Sequence, residues 1–216
     1  MAKRKTGKDA ELAGLEMLSN GLLVRKSDME VVGIHRCVDK SDLRHLVIPE
    51  GVRSIGEKAF SRHSEIISVS FPESLEKIGA LSFYMCHELQ KVSVPKNVKI
   101  IKASAFQGCN SLTEVKLNKG LMVIESHAFS YTEISKLDLP ESVRALGDSA
   151  LDNINAVNIR SAGIPHNLIR AVSPANWHGY WKYDSCNIPM TVEISVNGRV
   201  IYLPKFVNES DIGLCE

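Results

Sequence analysis

Apolar residues recur along this chain in one repeating phrase. Read from Leu46, Val69, Val92, Val115 and Leu137, each unit opens with a short alternating piece such as Val92-Ser93-Val94. A degraded sixth start stands at Val157. Alternation with a period of two predicts a strand with one buried face. A proline usually follows (Pro49, Pro72, Pro95, Pro140) and ends the strand, because it cannot donate to a further ladder rung; Asn118 takes its place in the fourth unit. Next come two apolar anchors three residues apart: Val52 and Ile55, Leu75 and Ile78, Val98 and Ile101, Leu121 and Ile124, Val143 and Leu146. A small residue and a phenylalanine follow in four units (Ala59-Phe60, Ser82-Phe83, Ala105-Phe106, Ala128-Phe129), with Ala150-Leu151 in the fifth. Ile66, Leu89, Leu112, Ile134 and Ile154 close the units.

The starts at 46, 69, 92, 115, 137 and 157 differ by 23, 23, 23, 22 and 20. That spacing lies in the range of about 20–29 residues of leucine-rich repeats. One unit cannot bury so many apolar positions alone. Stacking sets equivalent residues above one another, and the ladders become a continuous core with the phenylalanines as its spine.

The phrase I-P-x-x-V-x-x-I-G-x-x-A-F-x-x-C-x-x-L resembles the BspA-like leucine-rich repeat. Ile48 to Ile66 and Phe71 to Leu89 carry it almost letter for letter, and Val94 to Leu112 carries it with Lys102 in place of the glycine. The resemblance spans roughly residues 40–160. It implies a curved, right-handed solenoid with a short parallel sheet on one side. It further implies surface adhesins, or cytosolic and phage-borne proteins. The expected fold class is therefore an α/β repeat: a right-handed leucine-rich-repeat solenoid closed by caps.

The ends read differently. Residues 1–42 form an N-terminal tail and cap, 43–160 the repeats, and 161–216 a C-terminal cap. Asp9 to Leu18 predicts a short helix, with Asp9 as N-cap, Leu12, Leu15 and Leu18 as a stripe, and Asn20-Gly21 as a stop. Leu22 to Val24 and Glu30 to Ile34 predict strands. After residue 160, His166 to Val172 predicts a helical turn ended by Ser173-Pro174. Trp177, Tyr180, Trp181 and Tyr183 form an aromatic cluster that either fills the cap or supplies binding anchors. Thr191 to Val196 and Arg199 to Leu203 alternate around Asn197-Gly198, which predicts a hairpin because both turn residues tolerate positive φ.

Charge narrows little. The 26 Lys and Arg nearly balance 25 Asp and Glu. A basic start (Lys3, Arg4, Lys5, Lys8) reads as a solvated terminus. No signal-peptide pattern and no long apolar run are visible, so a cytoplasmic protein without a membrane segment is expected. Cys37, Cys86, Cys109, Cys186 and Cys215 are odd in number and widely spaced, which suits reduced thiols. His63 shares the repeat phase of Cys86 and Cys109, and packing explains this row more simply than a metal does. No phosphate-binding glycine loop, zinc-binding histidine pair, nucleophile elbow or calcium loop is present. The expectation is no enzyme, no cofactor and no metal.

What remains is surface. Two rows are expected on the outward face of the short sheet. One is His45, Ser68, Lys91, Glu114, Lys136 and Ala156; the other is Val47, Ser70, Ser93, Lys116, Asp138 and Asn158. A third row, Ser54, Lys77, Ile100, Val123 and Ala145, turns apolar in later repeats beside Met122, and is either an exposed sticky patch or core. The candidate protein-binding residues are Lys91, Glu114, Lys116, Lys136, Asp138, Ile100, Met122, Val123, Trp177, Tyr180, Trp181 and Tyr183. The expected function is a non-catalytic protein-binding scaffold, with an inhibitor of a larger assembly carried by a phage or mobile element as its narrower form. A surface adhesin is the second reading. The third is a nucleic-acid-associated protein using the basic N-terminus and the aromatic cap.

Overall fold

The computed structural model describes residues 14–152, 154–159, 167, 168, 171, 191–196 and 199–204. The basic start and the aromatic cluster of Trp177, Tyr180, Trp181 and Tyr183 lie outside them.

Three short strands open the fold: β1 (Leu15–Met17), β2 (Leu22–Arg25) and β3 (Glu30–Ile34). Each repeat then supplies two strands rather than the expected one. They are β4 (His45–Val47) and β5 (Ser54–Ile55), β6 (Ser68–Ser70) and β7 (Lys77–Ile78), β8 (Lys91–Ser93) and β9 (Ile100–Ile101), β10 (Glu114–Lys116) and β11 (Val123–Ile124), and β12 (Lys136–Leu139) and β13 (Ala145–Leu146). The chain continues with β14 (Ala156–Ile159), β15 (Thr191–Val196) and β16 (Arg199–Pro204).

The first strand of each repeat contributes to the front of a parallel β-solenoid of about six turns. The front is in two blocks, β4-β6-β8-β10 and β12-β14-β15-β16. The three opening strands and the second strand of each repeat build a second, eight-stranded sheet in the order β1-β2-β3-β5-β7-β9-β11-β13. Register is set by the repeat: Leu46 stands beside Val69, Val115 beside Val92, and Ile55, Ile78, Ile101, Ile124 and Leu146 follow one another in the second sheet.

Both inward rows end in one cluster of buried side chains. Phe60, Phe83, Phe106 and Phe129 stack through it with ring centroids 5.0, 5.4 and 5.5 Å apart. The planes of the last two pairs are nearly parallel, at 7° and 4°. Offset stacking at such separations adds about 0.5–1.5 kcal/mol per pair beyond burial alone. The corner carrying these rings turns sharply on both sides. Lys58, Leu81, Ser104, His127 and Ser149 have positive φ at one phase, and Arg62, Met85, Gly108 and Tyr131 at another. A non-glycine residue there costs roughly 1–2 kcal/mol. The offset is a third ladder of backbone bonds, from Phe60 N–H to the Ser82 carbonyl (2.8 Å) and likewise Phe83 to Ala105 (2.8 Å) and Phe106 to Ala128 (2.9 Å).

Two expectations need correction. The class is a β-solenoid with almost no helix among the described residues, not an α/β repeat. The predicted N-terminal helix is replaced, over its described part, by β1, which pairs antiparallel with β2. Asn20-Gly21 is a hairpin turn, not a helix stop: Gly21 has φ 79°, its N–H donates to the Leu18 carbonyl, and Leu18 N–H donates to the Leu22 carbonyl. Pairing with β2 satisfies one side of so short a segment, where a helix of that length is marginal. Of the helical turn predicted over His166 to Val172, the described residues Leu168 and Ala171 are helical, with Ala171 N–H bonded to the Asn167 carbonyl at 2.9 Å; the rest of it lies outside the described residues. The predicted hairpin is present as β15 and β16, and it prolongs the front sheet because β15 pairs parallel with β14.

Candidate interaction surface

Because Leu46, Val69, Val92, Leu137 and Val157 point into the core, their neighbours on each strand point out. The two predicted front rows lie there. Lys91, Lys116, Lys136 and Asp138 are exposed and Glu114 is half-buried. Lys91, Glu114 and Lys116 come together: the Glu114 carboxylate lies 3.0 Å from Lys91 Nζ and 3.2 Å from Lys116 Nζ. The hydrogen bond from Lys91, seconded by Lys116, holds its carboxyl below the ordinary range. Asp138 accepts from the Asn158 amide, and His45 Nδ1 meets Ser68 Oγ at 2.9 Å. Much of the front charge is thus answered by neighbours on the same face.

The third row lies on the outer side of the second sheet. Each two-residue strand of the second sheet puts its second residue inward and its first outward. Ile100, Val123 and Ala145 are half-buried in register, and Met122 beside them is 42% exposed. Lys77, Lys99 and Arg144 surround this stripe, exposed and without an ion pair among the described residues. Sequence reasoning placed Lys77 in the row but gave no role to Lys99 or Arg144. Their signal was available: they share the phase of Met122 one repeat before and one after.

At the N-terminal end of this sheet a shallow groove is lined by Asp28, Met29, Arg53, Ser54 and Lys77. Arg53 stands 3.9 Å from Glu76, and Arg25 bonds Asp28 at 3.0 Å. In the third and fourth repeats Lys102 and Glu125 occupy a phase where other repeats have glycine, and they pair at 2.7 Å.

No group of three or more His, Cys, Asp or Glu among the described residues could hold a metal. No helix among them is long and apolar enough to cross a membrane. The Cys86 and Cys109 thiols donate to the Phe60 and Phe83 carbonyls at 3.1 and 3.2 Å. Burial pushes the Cys86 thiol up to about 12 and the Cys109 thiol well above its ordinary value. Neither is a nucleophile at neutral pH. His63, at the same phase, places Nδ1 2.9 Å from the Glu65 carboxylate. Cys37 is exposed, with its sulfur 2.7 Å from His35 Nδ1.

A two-sheet solenoid with 23-residue register, a phenylalanine spine and an outward face that changes from turn to turn defines a leucine-rich-repeat protein. A model of the BspA type leucine rich repeat region matches six copies over residues 35–158, more than half of the 216 residues, and the chain belongs to that family. No functionally curated protein matches it. Among solved structures it is similar to a leucine-rich repeat protein from Bacteroides ovatus, at 20% identity and TM-score 0.54, covering 70% of this chain and 48% of that one. It is also similar to the T. pallidum leucine-rich repeat protein, at 22% identity and TM-score 0.55, covering 72% and 71%. The chain thus spans about half the length of the Bacteroides protein. At these identities the likeness is one of fold. Family membership itself suggests an interaction or adhesin-like role.

Proposed function

We propose that this protein is a non-catalytic binding module whose partner is another protein. One observation carries the reading: what repeats is buried, and what varies is exposed. The inward row of the front sheet is Leu, Val, Val, Val, Leu, Val, while the outward row beside it is His, Ser, Lys, Glu, Lys, Ala. Core packing requires the first row and is indifferent to the second. A solenoid presents such a row as one extended surface, which is how repeat proteins hold macromolecules. Mixed charge suits a protein through complementarity more than a nucleic-acid backbone, which calls for a basic face.

Affinity capture from the native host tests the reading. Wild type is compared with Lys116→Glu/Lys136→Glu and with Lys99→Glu/Arg144→Glu, each checked for unchanged circular dichroism. A stoichiometric protein partner lost in one variant supports the module and locates its face. Recovery of nuclease-sensitive material alone, or of nothing, rejects it. A cytoplasmic address and an inhibitory role against a larger assembly remain part of the proposal, and the identity of the captured partner decides both.

A further inference from the structure

We propose that the outer face of the second sheet, over the third to fifth repeats, docks an amphipathic helix of a partner protein whose apolar stripe is flanked by acidic residues. This rests on the binding-module reading and names its site and its partner's chemistry.

Three observations select the face. Its centre is apolar, with Ile100, Val123 and Ala145 in register and Met122 at the margin. Its rim is cationic: Lys77, Lys99 and Arg144 are exposed and lack an ion pair among the described residues. The acids at hand are engaged elsewhere, Glu76 beside Arg53 and Glu125 with Lys102 at 2.7 Å. The front sheet differs, because there Glu114 already answers both Lys91 and Lys116. Unanswered charge around an apolar centre is what a complementary partner satisfies.

The charge also selects among occupants. In a two-fold pairing of this face with a second copy, the patch meets itself. Lys77 and Arg144 lie at opposite ends of it, so cation would face cation. An anionic bilayer would match the charge, but the centre is half-buried Ile100, Val123 and Ala145 with no aromatic anchor among the described residues, and Met122 is its one exposed apolar side chain. A protein segment with carboxylates beside its apolar residues fits all three features.

Spacing favours a helix over a strand. Neighbouring strands lie about 4.8 Å apart. One helical turn rises about 5.4 Å. An extended chain brings the next residue to the same face only after about 6.8 Å. Laid across Ile100, Val123 and Ala145, a helix drifts about 1.2 Å over two steps and an extended chain about 4 Å. The helix keeps one apolar residue per repeat, and its shoulders reach Lys99 and Arg144.

The test is a displayed library of short amphipathic helices with a fixed leucine stripe and Lys, Gln or Glu randomised on both shoulders. It is panned against the full chain and against Lys99→Glu/Arg144→Glu, whose altered side chains are solvent-exposed. The expected result is enrichment of glutamate shoulders on wild type, roughly tenfold weaker binding of those peptides to the variant, and a switch to lysine shoulders there. Val123→Asp should abolish both selections. Unchanged preference in the charge-reversed chain overturns the proposal. So does tighter capture by phosphatidylcholine–phosphatidylserine vesicles than by any peptide. Peptides sensitive to Lys116→Glu/Lys136→Glu but not to the second-sheet variants reject this site and leave the module standing. An absence of selected peptides while host capture yields a partner on the front sheet does the same; absence of both removes the two readings together.

Discussion

At the scale of single residues, the repeat is tuned by how closely successive turns approach. Gly79 has ordinary backbone angles, so conformational freedom does not explain it. A Cβ there would stand 2.5 Å from the Ile55 carbonyl oxygen and 2.8 Å from the Gly56 carbonyl carbon. Backbone cannot yield as a flexible side chain can. Gly79→Ala should therefore cost about 1–3 kcal/mol, as overpacking does, read as a lower urea midpoint at unchanged m-value. A midpoint equal to wild type would show that the turns part without penalty. The buried thiols supply a second test. Burial raises the folded-state values of Cys86, from 9.0 to about 12, and of Cys109. Below pH 9 both folded and unfolded chains keep these protons. Above it the unfolded chain releases them and the folded chain does not, so stability falls as pH rises from about 9 towards 12. The decline measured by urea unfolding should be shallower in Cys86→Ala/Cys109→Ala. An equally steep decline would assign the alkaline loss to other groups.

At the scale of elements, the front sheet has a seam. Each strand from β4 to β10 pairs with the next, and β12 pairs with β14, but β10 and β12 belong to different blocks. The cause is visible in the sequence: Phe129 and Ile134 are one residue closer than Phe106 and Leu112. In the turn thus shortened, Thr132 Oγ1 bonds the Phe129 carbonyl of its own repeat at 2.8 Å. Val115 and Leu117 next to the seam are only half-buried, unlike Val92 and Val94. Hydrogen exchange should therefore find the amides of Leu117 and Lys136 less protected than those of Val94 and Glu114, which bond the Lys116 and Gln90 carbonyls. Uniform protection along the front would mean that the seam is closed in solution. The period itself was legible in the sequence, as were the inward rows, the phenylalanine spine and the C-terminal hairpin. The second sheet was not, since two residues such as Ser54-Ile55 are too few for alternation to register. The N-terminal helix was misread because Leu15 and Leu18 satisfy a helical spacing while Leu15 and Met17 satisfy a strand's, and only pairing with β2 decides. The front candidates Lys91, Glu114 and Lys116 were found as a row, but their mutual neutralisation is a matter of distance that no spacing reveals.

At the scale of the whole molecule, contacts run mainly between adjacent repeats, so stability should behave as a sum over turns and their interfaces. A sharp consequence concerns removal of one period. Deleting Val92 to Glu114 takes out 115 minus 92, or 23, residues and joins Lys91 to Val115 in phase. Every inward row then loses one member and keeps its order: Phe83 meets Phe129, Ile78 meets Ile124, and Leu89 is followed by Ile134. The Glu125 carboxylate loses both Lys102 and the Ala103 N–H it accepts at 3.0 Å. The shortened chain brings it to the phase of Gly79 and Ala80, whose N–H can take the second role. The deletion should fold, with β-rich circular dichroism and an m-value lowered in proportion to the lost turn. Deleting one residue more or fewer puts Lys116 or Glu114 at the inward position of the joined front strand, because a one-residue slip exchanges the two faces, and should cost clearly more stability than the in-phase deletion. If the in-phase and out-of-phase deletions behave alike, the solenoid is not a sum of nearest-neighbour terms. The in-phase deletion also shortens the second-sheet stripe by Ile100 and its rim by Lys99. A partner helix docked there should weaken, while one held by Lys116 and Lys136 on the front should keep its residues.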